Sequence, residues 1–157
     1  MSQPARATVT SLSSFILKSV ATADAFAGRP LPISTPARRA GVVVSAIPAL
    51  FLAMDLSMKL LQVPPALEGT AQLGYPTTVV LPLGLLQLVC LVLYLVPRTS
   101  VLGAILWTGY LGGAVATHVR LGNPWLSHVL FPVFIGGLLW LGLWLRDARL
   151  RRVVPLS

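Results

Sequence analysis

From Ser100 to Arg120 the chain reads SVLGAILWTGYLGGAVATHVR, an apolar stretch that carries no charge until its last residue. About 20 such residues are what an α-helix needs to cross the hydrocarbon of a bilayer. Three further segments, about 40–62, 77–96 and 125–145, have similar length and character. Backbone N–H and C=O groups find no partner in lipid, so segments of this kind must be helices that satisfy them internally. The connections are short: only Leu121–Pro124 separates the third and fourth segments, and the third follows Pro97–Arg98 almost at once. Neighbours joined so tightly run in opposite directions. The expected fold is an all-α integral membrane protein, an antiparallel four-helix transmembrane bundle.

Composition agrees, with 55% apolar and only 10% charged residues, and it argues against a soluble domain. The formal charge of +8 does not read as a nucleic-acid surface, because the arginines sit in the tails and between apolar runs rather than interleaved with aromatics. They read as orientation signals. Arg38, Arg39, Arg98, Arg146, Arg149, Arg151 and Arg152 fall on one side of the four spans and Arg120 alone on the other. The positive-inside rule then puts both termini in the cytoplasm, and the natural location is a bacterial inner membrane. The single cysteine, Cys90, lies inside a span, so an internal disulfide or a CxxC redox couple is excluded.

Three regions follow. Residues 1–39 form a basic Ser/Thr/Ala-rich tail, broken by Pro30, Pro32 and Pro36; it reads either as disordered chain or as a short interfacial helix over Ser11–Ala27. Residues 40–146 form the bundle, and 147–157 a basic cytoplasmic tail. Val63–Pro76, with Pro64, Pro65 and Gly74–Tyr75–Pro76, reads as a surface loop. In the third span Gly109 and Gly113 form a GxxxG pair that Thr117 extends, while Ala104, Thr108, Gly112 and Ala116 make a second row of small side chains at fourfold spacing; both rows predict close helix packing.

The polar residues inside the spans are few. On the first span Ser45, Pro48, Leu52, Asp55, Lys59 and Gln62 share one stripe, which must face protein rather than lipid. A bend is expected at Pro48, which leaves the carbonyl of Val44 without its donor. Gln87 and Tyr94 lie on one face of the second span, and bonds across helices are the first reading of both. His118 closes the third and His128 opens the fourth, five residues either side of Asn123 and so at similar depth. Asp55 before Lys59 at i, i+4 is the favourable order for an intrahelical pair, and mutual neutralisation explains the two charges as well as a ligand- or proton-handling role does. Lys59, one turn nearer the outer surface, is expected to snorkel outward and leave Asp55 the deeper of the two. Asp55, Lys59, Gln87, Tyr94, Tyr110, His118 and His128 are the candidate ligand-binding residues. No catalytic set emerges, and two histidines without further ligands argue against haem or metal.

The sequence resembles the four-span DoxX-like membrane proteins. The likeness is carried by Gly74–Tyr75–Pro76, the run Leu93 to Ser100, Leu102–Gly103–Ala104, Gly109–Tyr110–Leu111–Gly112–Gly113–Ala114 and Thr117–His118–Val119–Arg120, with Met54–Asp55, Lys59, Leu145–Arg146–Asp147 and Leu150–Arg151 extending it over about Ala49 to Pro155. The resemblance implies association with a membrane oxidoreductase system, as an accessory subunit with a small apolar pocket that admits a quinone. It brings no residue-level catalytic motif. A small-molecule carrier, or an assembly partner without a ligand of its own, are the alternatives, and the expected partners are lipid and either a membrane oxidoreductase or a second copy of the chain.

Overall fold

A computed structural model describes Lys18 and residues 33–153. Its elements are α1 (Thr35–Leu60), α2 (Pro64–Gln72), a 3₁₀ turn (Thr77–Val79), α3 (Val80–Leu95), α4 (Ser100–Arg120), a π-turn (Trp125–Val129), α5 (Leu130–Arg146) and α6 (Ala148–Val153). Apart from Lys18, the Ser11–Ala27 segment lies outside the described residues.

Four helices are long and apolar enough to cross a membrane, and only 33% of each apolar window is buried within the chain. The remainder, including Val43, Ile47, Leu50, Leu85, Val89 and Phe134, is exposed. An apolar surface of that extent belongs against lipid. The protein is an integral multi-pass membrane protein, and its inner core is built by Leu52, Tyr94, Trp107, Leu139 and Leu143.

Helix ends explain where the sequence boundaries move. α1 begins at Thr35, ahead of the expected start near 40, because Pro36 occupies one of the first helical positions, where its missing N–H breaks no bond. It continues unbroken through Pro48. The segment read as a loop contains α2, with Pro64 at its start and Thr70 buried. There the prolines initiate a helix instead of preventing one. α1, α2 and α4 end alike. In each, the two N–H groups after the C-cap fold back on the last carbonyls, as in Val63 N to Met58 O, Tyr75 N to Thr70 O and Asn123 N to His118 O. This closure needs a left-handed residue, supplied by Gly74 (φ 79°), Gly122 (φ 66°) and, at a backbone cost, Gln62 (φ 49°).

The helix contacts do not run through the glycines that the sequence singles out. A Cβ at Gly109, Gly112 or Gly113 would meet nothing within 4 Å, and Gly112 and Ala116 are exposed. Of the expected packing rows on α4, only the start of one packs within this chain: Ala104 is buried and Thr108 Oγ1 accepts from Trp140 Nε1 of α5 at 2.9 Å, whereas Gly109, Gly112 and Gly113 adjoin no helix closely. The close crossings are elsewhere. α1 meets α5 through Gly41, Ser45 and Gly142, where a Cβ on Gly41 would come within 2.9 Å of the Gly142 carbonyl oxygen. α3 meets α1 at Gly84, where a Cβ would come 3.0 Å from Lys59 Cβ, and Gly103 of α4 presses on the backbone of Leu93 and Tyr94. Gly41 and Ser45 thus form the small-xxx-small pair that the bundle uses.

Candidate functional site

The stripe on α1 divides by depth. Ser45 and Pro48 are buried against the neighbouring helices, whereas Asp55 and Lys59 end the stripe beside a cavity of about 590 Å³. Asp55 Oδ2 accepts from Lys59 Nζ one turn on and from Gln87 Nε2 of α3 at 2.6 Å. Both donors converge on one oxygen, so among the described residues none donates to Oδ1. The second oxygen of the Gln87 pairing is likewise left over: Gln87 is fully buried, and its Oε1 has no partner.

Side-chain exposure is 14% for Lys59 and 35% for Asp55, which reverses the expectation that the lysine snorkels outward. The stem of Lys59 is held against Gly84, and Lys59 shares a second cavity wall with Pro65, Ala66 and Gly69 of α2. α2 and Lys59 thus line one cavity, and the carboxylate partner is the more exposed of the pair.

The cavity wall is mostly apolar, formed by Phe51, Leu52, Leu83, Leu111, Phe131 and Ile135 with Tyr110 and the glycines Gly109 and Gly113. Phe51 and Phe131 meet edge to face, with centroids 5.2 Å apart. Missing side chains at Gly109 and Gly113 make room on α4. The roof is a polar clasp: Thr117 Oγ1 donates to the Gly113 carbonyl at 2.9 Å, so the Tyr75 hydroxyl, also 2.9 Å away, donates to Thr117. Arg120 donates to the Leu73 carbonyl oxygen at 2.9 Å and lies 6.0 Å from the Tyr75 ring centre. Thr70, Leu73, Tyr75 and Thr117 line the cavity and are the site residues that reading the sequence missed. The signal for them is the bracket of Pro64–Pro65 and Gly74, a helix start and a helix stop ten residues apart.

A second, more polar cavity of about 430 Å³ adjoins the first, sharing Asp55, Lys59, Thr70, Leu73 and His118 and adding Asn123 and His128. His118 Nδ1 is 2.8 Å from Asn123 Nδ2, an interaction in which the amide donates and the neutral imidazole keeps its proton on Nε2. The His118 and His128 rings meet edge to face with centres 5.4 Å apart, so the two lie side by side as their spacing about Asn123 implies. His128 sits in the π-turn, where Pro132 deprives its carbonyl of an α-helical donor and lets the first turn widen. No group of three or more metal-ligating side chains occurs among the described residues.

Of the seven candidates, Asp55, Lys59, Gln87, Tyr110 and His118 line the larger cavity and His128 the smaller. Tyr94 does not. It is fully buried, its hydroxyl donates to the Leu139 carbonyl oxygen at 2.8 Å beside Ser45 Oγ, and Arg146 stacks 5.0 Å from its ring centre. Of the two readings of Tyr94 the structure shows the cross-helix bond and not the ligand contact, because Ser45 and Leu139 sit opposite it on α1 and α5.

The structure thus presents a four-span membrane bundle with an apolar cavity ending in a part-buried ion pair. Residues 43–142 match the DoxX-like family, and the chain belongs to it. The match starts ahead of the residues that carry the resemblance and stops before Leu145–Arg151. No curated protein and no solved structure matches the chain.

Proposed function

We propose that this DoxX-like protein is a non-catalytic accessory subunit of a membrane oxidoreductase system and that its cavity holds a small, quinone-like lipid-soluble ligand. The observation that carries this reading is the chamber itself. Its volume of about 590 Å³ falls in the range of small-molecule sites, its walls are mostly apolar, and two of its polar groups, Lys59 and Gln87, converge on Asp55. A flat head and the first part of an apolar tail suit such a space. The row of exposed small residues on α4, Gly112 and Ala116, supports a partner: a smooth strip on the lipid-facing surface lets another helix approach closely.

In this reading the spans alternate in direction, both termini are cytoplasmic, and the cavity opens in the outer half of a bacterial inner membrane. The asymmetry of seven arginines against one supports that orientation. The test is extraction of the purified protein with organic solvent and mass spectrometry of the extract. A stoichiometric prenyl quinone is expected from the parent and none from Gly113→Leu, whose new side chain has free space to enter and fills the chamber. A parent protein free of any such lipid would refute the ligand; capture of no redox enzyme by a tagged chain in its native membrane would refute the partner.

A further inference from the structure

The polar end of the chamber is not symmetric between donors and acceptors. Asp55 Oδ1 accepts no hydrogen bond among the described residues, while a third of the Asp55 side chain is exposed. Gln87 Oε1 also lacks a partner, but Gln87 is fully buried and this oxygen lies out of a ligand's reach. The amide orientation is fixed by chemistry, because turning it over would set an oxygen against the carboxylate, so Oε1 is the atom left without a partner. The charges of Asp55 and Lys59 cancel, so the end of the chamber selects neither an anion nor a cation. Lys59 keeps spare N–H donors but is the more buried of the pair, and the Tyr110 hydroxyl can act in either direction.

The geometry points to a neutral ligand whose head carries hydroxyl groups, a phenol or hydroquinone, bound in preference to the corresponding quinone. This inference rests on the cavity being the ligand site proposed above. A hydroxyl donates to the vacant carboxylate oxygen and still accepts from Lys59 or Tyr110. A quinone carbonyl can only accept, so its insertion sets one acceptor beside another and leaves Asp55 Oδ1 without a donor from the ligand. Unpaired acceptors of this kind are what discriminate between analogues that differ by one hydroxyl. Such a preference makes a quinone/hydroquinone couple bound to this chain easier to reduce than the same couple free in the membrane.

The experiment uses the purified full chain in lipid nanodiscs and three probes of one shape: a decyl-substituted hydroquinone kept under argon, the matching benzoquinone, and the hydroquinone's dimethyl ether. Calorimetric titration should show the hydroquinone binding at least tenfold more tightly than either of the others, the worth of one charge-assisted hydrogen bond. In the variant Asp55→Leu/Lys59→Met, which removes both charges together, the ratio should fall below about threefold while the benzoquinone still binds. Equal binding of all three probes to the parent overturns the preference and leaves the cavity as a ligand site. Failure of every probe to bind overturns the site as well. A ratio unchanged in Asp55→Leu/Lys59→Met overturns the assignment to Asp55.

Discussion

Removing the two charges one at a time should hurt this protein unequally, and in the order that their exposures dictate. Asp55→Asn keeps the shape and an acceptor for Gln87 Nε2 but strands the ammonium of Lys59, whose side chain is 14% exposed and whose stem is fixed against Gly84. A buried charge that loses its partner costs about 3 kcal/mol. Lys59→Met leaves Asp55 with the Gln87 bond at 2.6 Å and with 35% of its side chain exposed, which places its loss nearer the surface value of about 1 kcal/mol. With roughly 3 °C in Tm for each kcal/mol in a chain of this size, thermal unfolding in detergent should show a drop of about 9 °C for the first variant and about 3 °C for the second. The double variant carries no stranded charge and should recover to within about 3 °C of the parent, giving a coupling of about 3 kcal/mol. Lys59→Met as the more harmful change, or losses that simply add, would refute the reasoning, because either result means that the lysine reaches water and the aspartate does not.

Three further outcomes follow from the helix ends, the crossings and the orientation. Gln62→Gly should raise Tm, by about 0.5–1 kcal/mol of stability, since Gln62 holds φ 49° where glycine is unstrained; an unchanged or lower Tm would count against a left-handed C-cap there. Gly142→Ala should destabilise by more than about 2 kcal/mol because its Cβ would overlap Ser45, whereas Gly112→Ala, with open space around it, should be neutral or stabilising by up to about 1 kcal/mol; equal effects from the two would mean that α4 packs through Gly112 after all. In a Cys90→Ser background, single cysteines replacing Glu68 or Asn123 should react with an impermeant thiol reagent in intact cells and one replacing Thr99 should not, and labelling at Thr99 alone would invert the topology.

The four spans and the polar stripe were readable because bilayer length and charge scarcity act on the sequence locally. Asp55 and Lys59 are conspicuous for the same reason: in an apolar helix every charge must be accounted for. Partner choice is not local. Nothing in the α3 run marks Gln87 as the donor to Asp55 rather than to some other helix, and Tyr94, with the same apparent face, lands against Leu139 instead. The glycines show the difference most clearly. GxxxG on α4 and the pair Gly41 and Ser45 on α1 look alike as patterns, yet only the latter is pressed against another backbone. A small residue permits close approach without requiring it, so the same absence of a side chain makes a crossing at Gly142 and an empty space beside Gly113.

That distinction bears on how the site is built. The crossing at Gly41, Ser45 and Gly142 and the press of Gly103 on Tyr94 draw the four helices together at one end. The fully buried Tyr94 bonds them there. At the other end Gly109 and Gly113 offer no side chain to fill the interior, and the gap is roofed by α2 and the Tyr75–Thr117–Arg120 clasp. A bundle closed at both ends would leave Asp55 in contact with protein alone, and a hydrophobic pair would serve stability as well as a charged one. Here the carboxylate lies at the boundary between an apolar chamber and a polar vestibule, with one oxygen held by Lys59 and Gln87 and the other open. Fixing one oxygen makes the position of the other definite, and a definite acceptor at the end of an apolar space is what distinguishes a ligand's polar head from its tail.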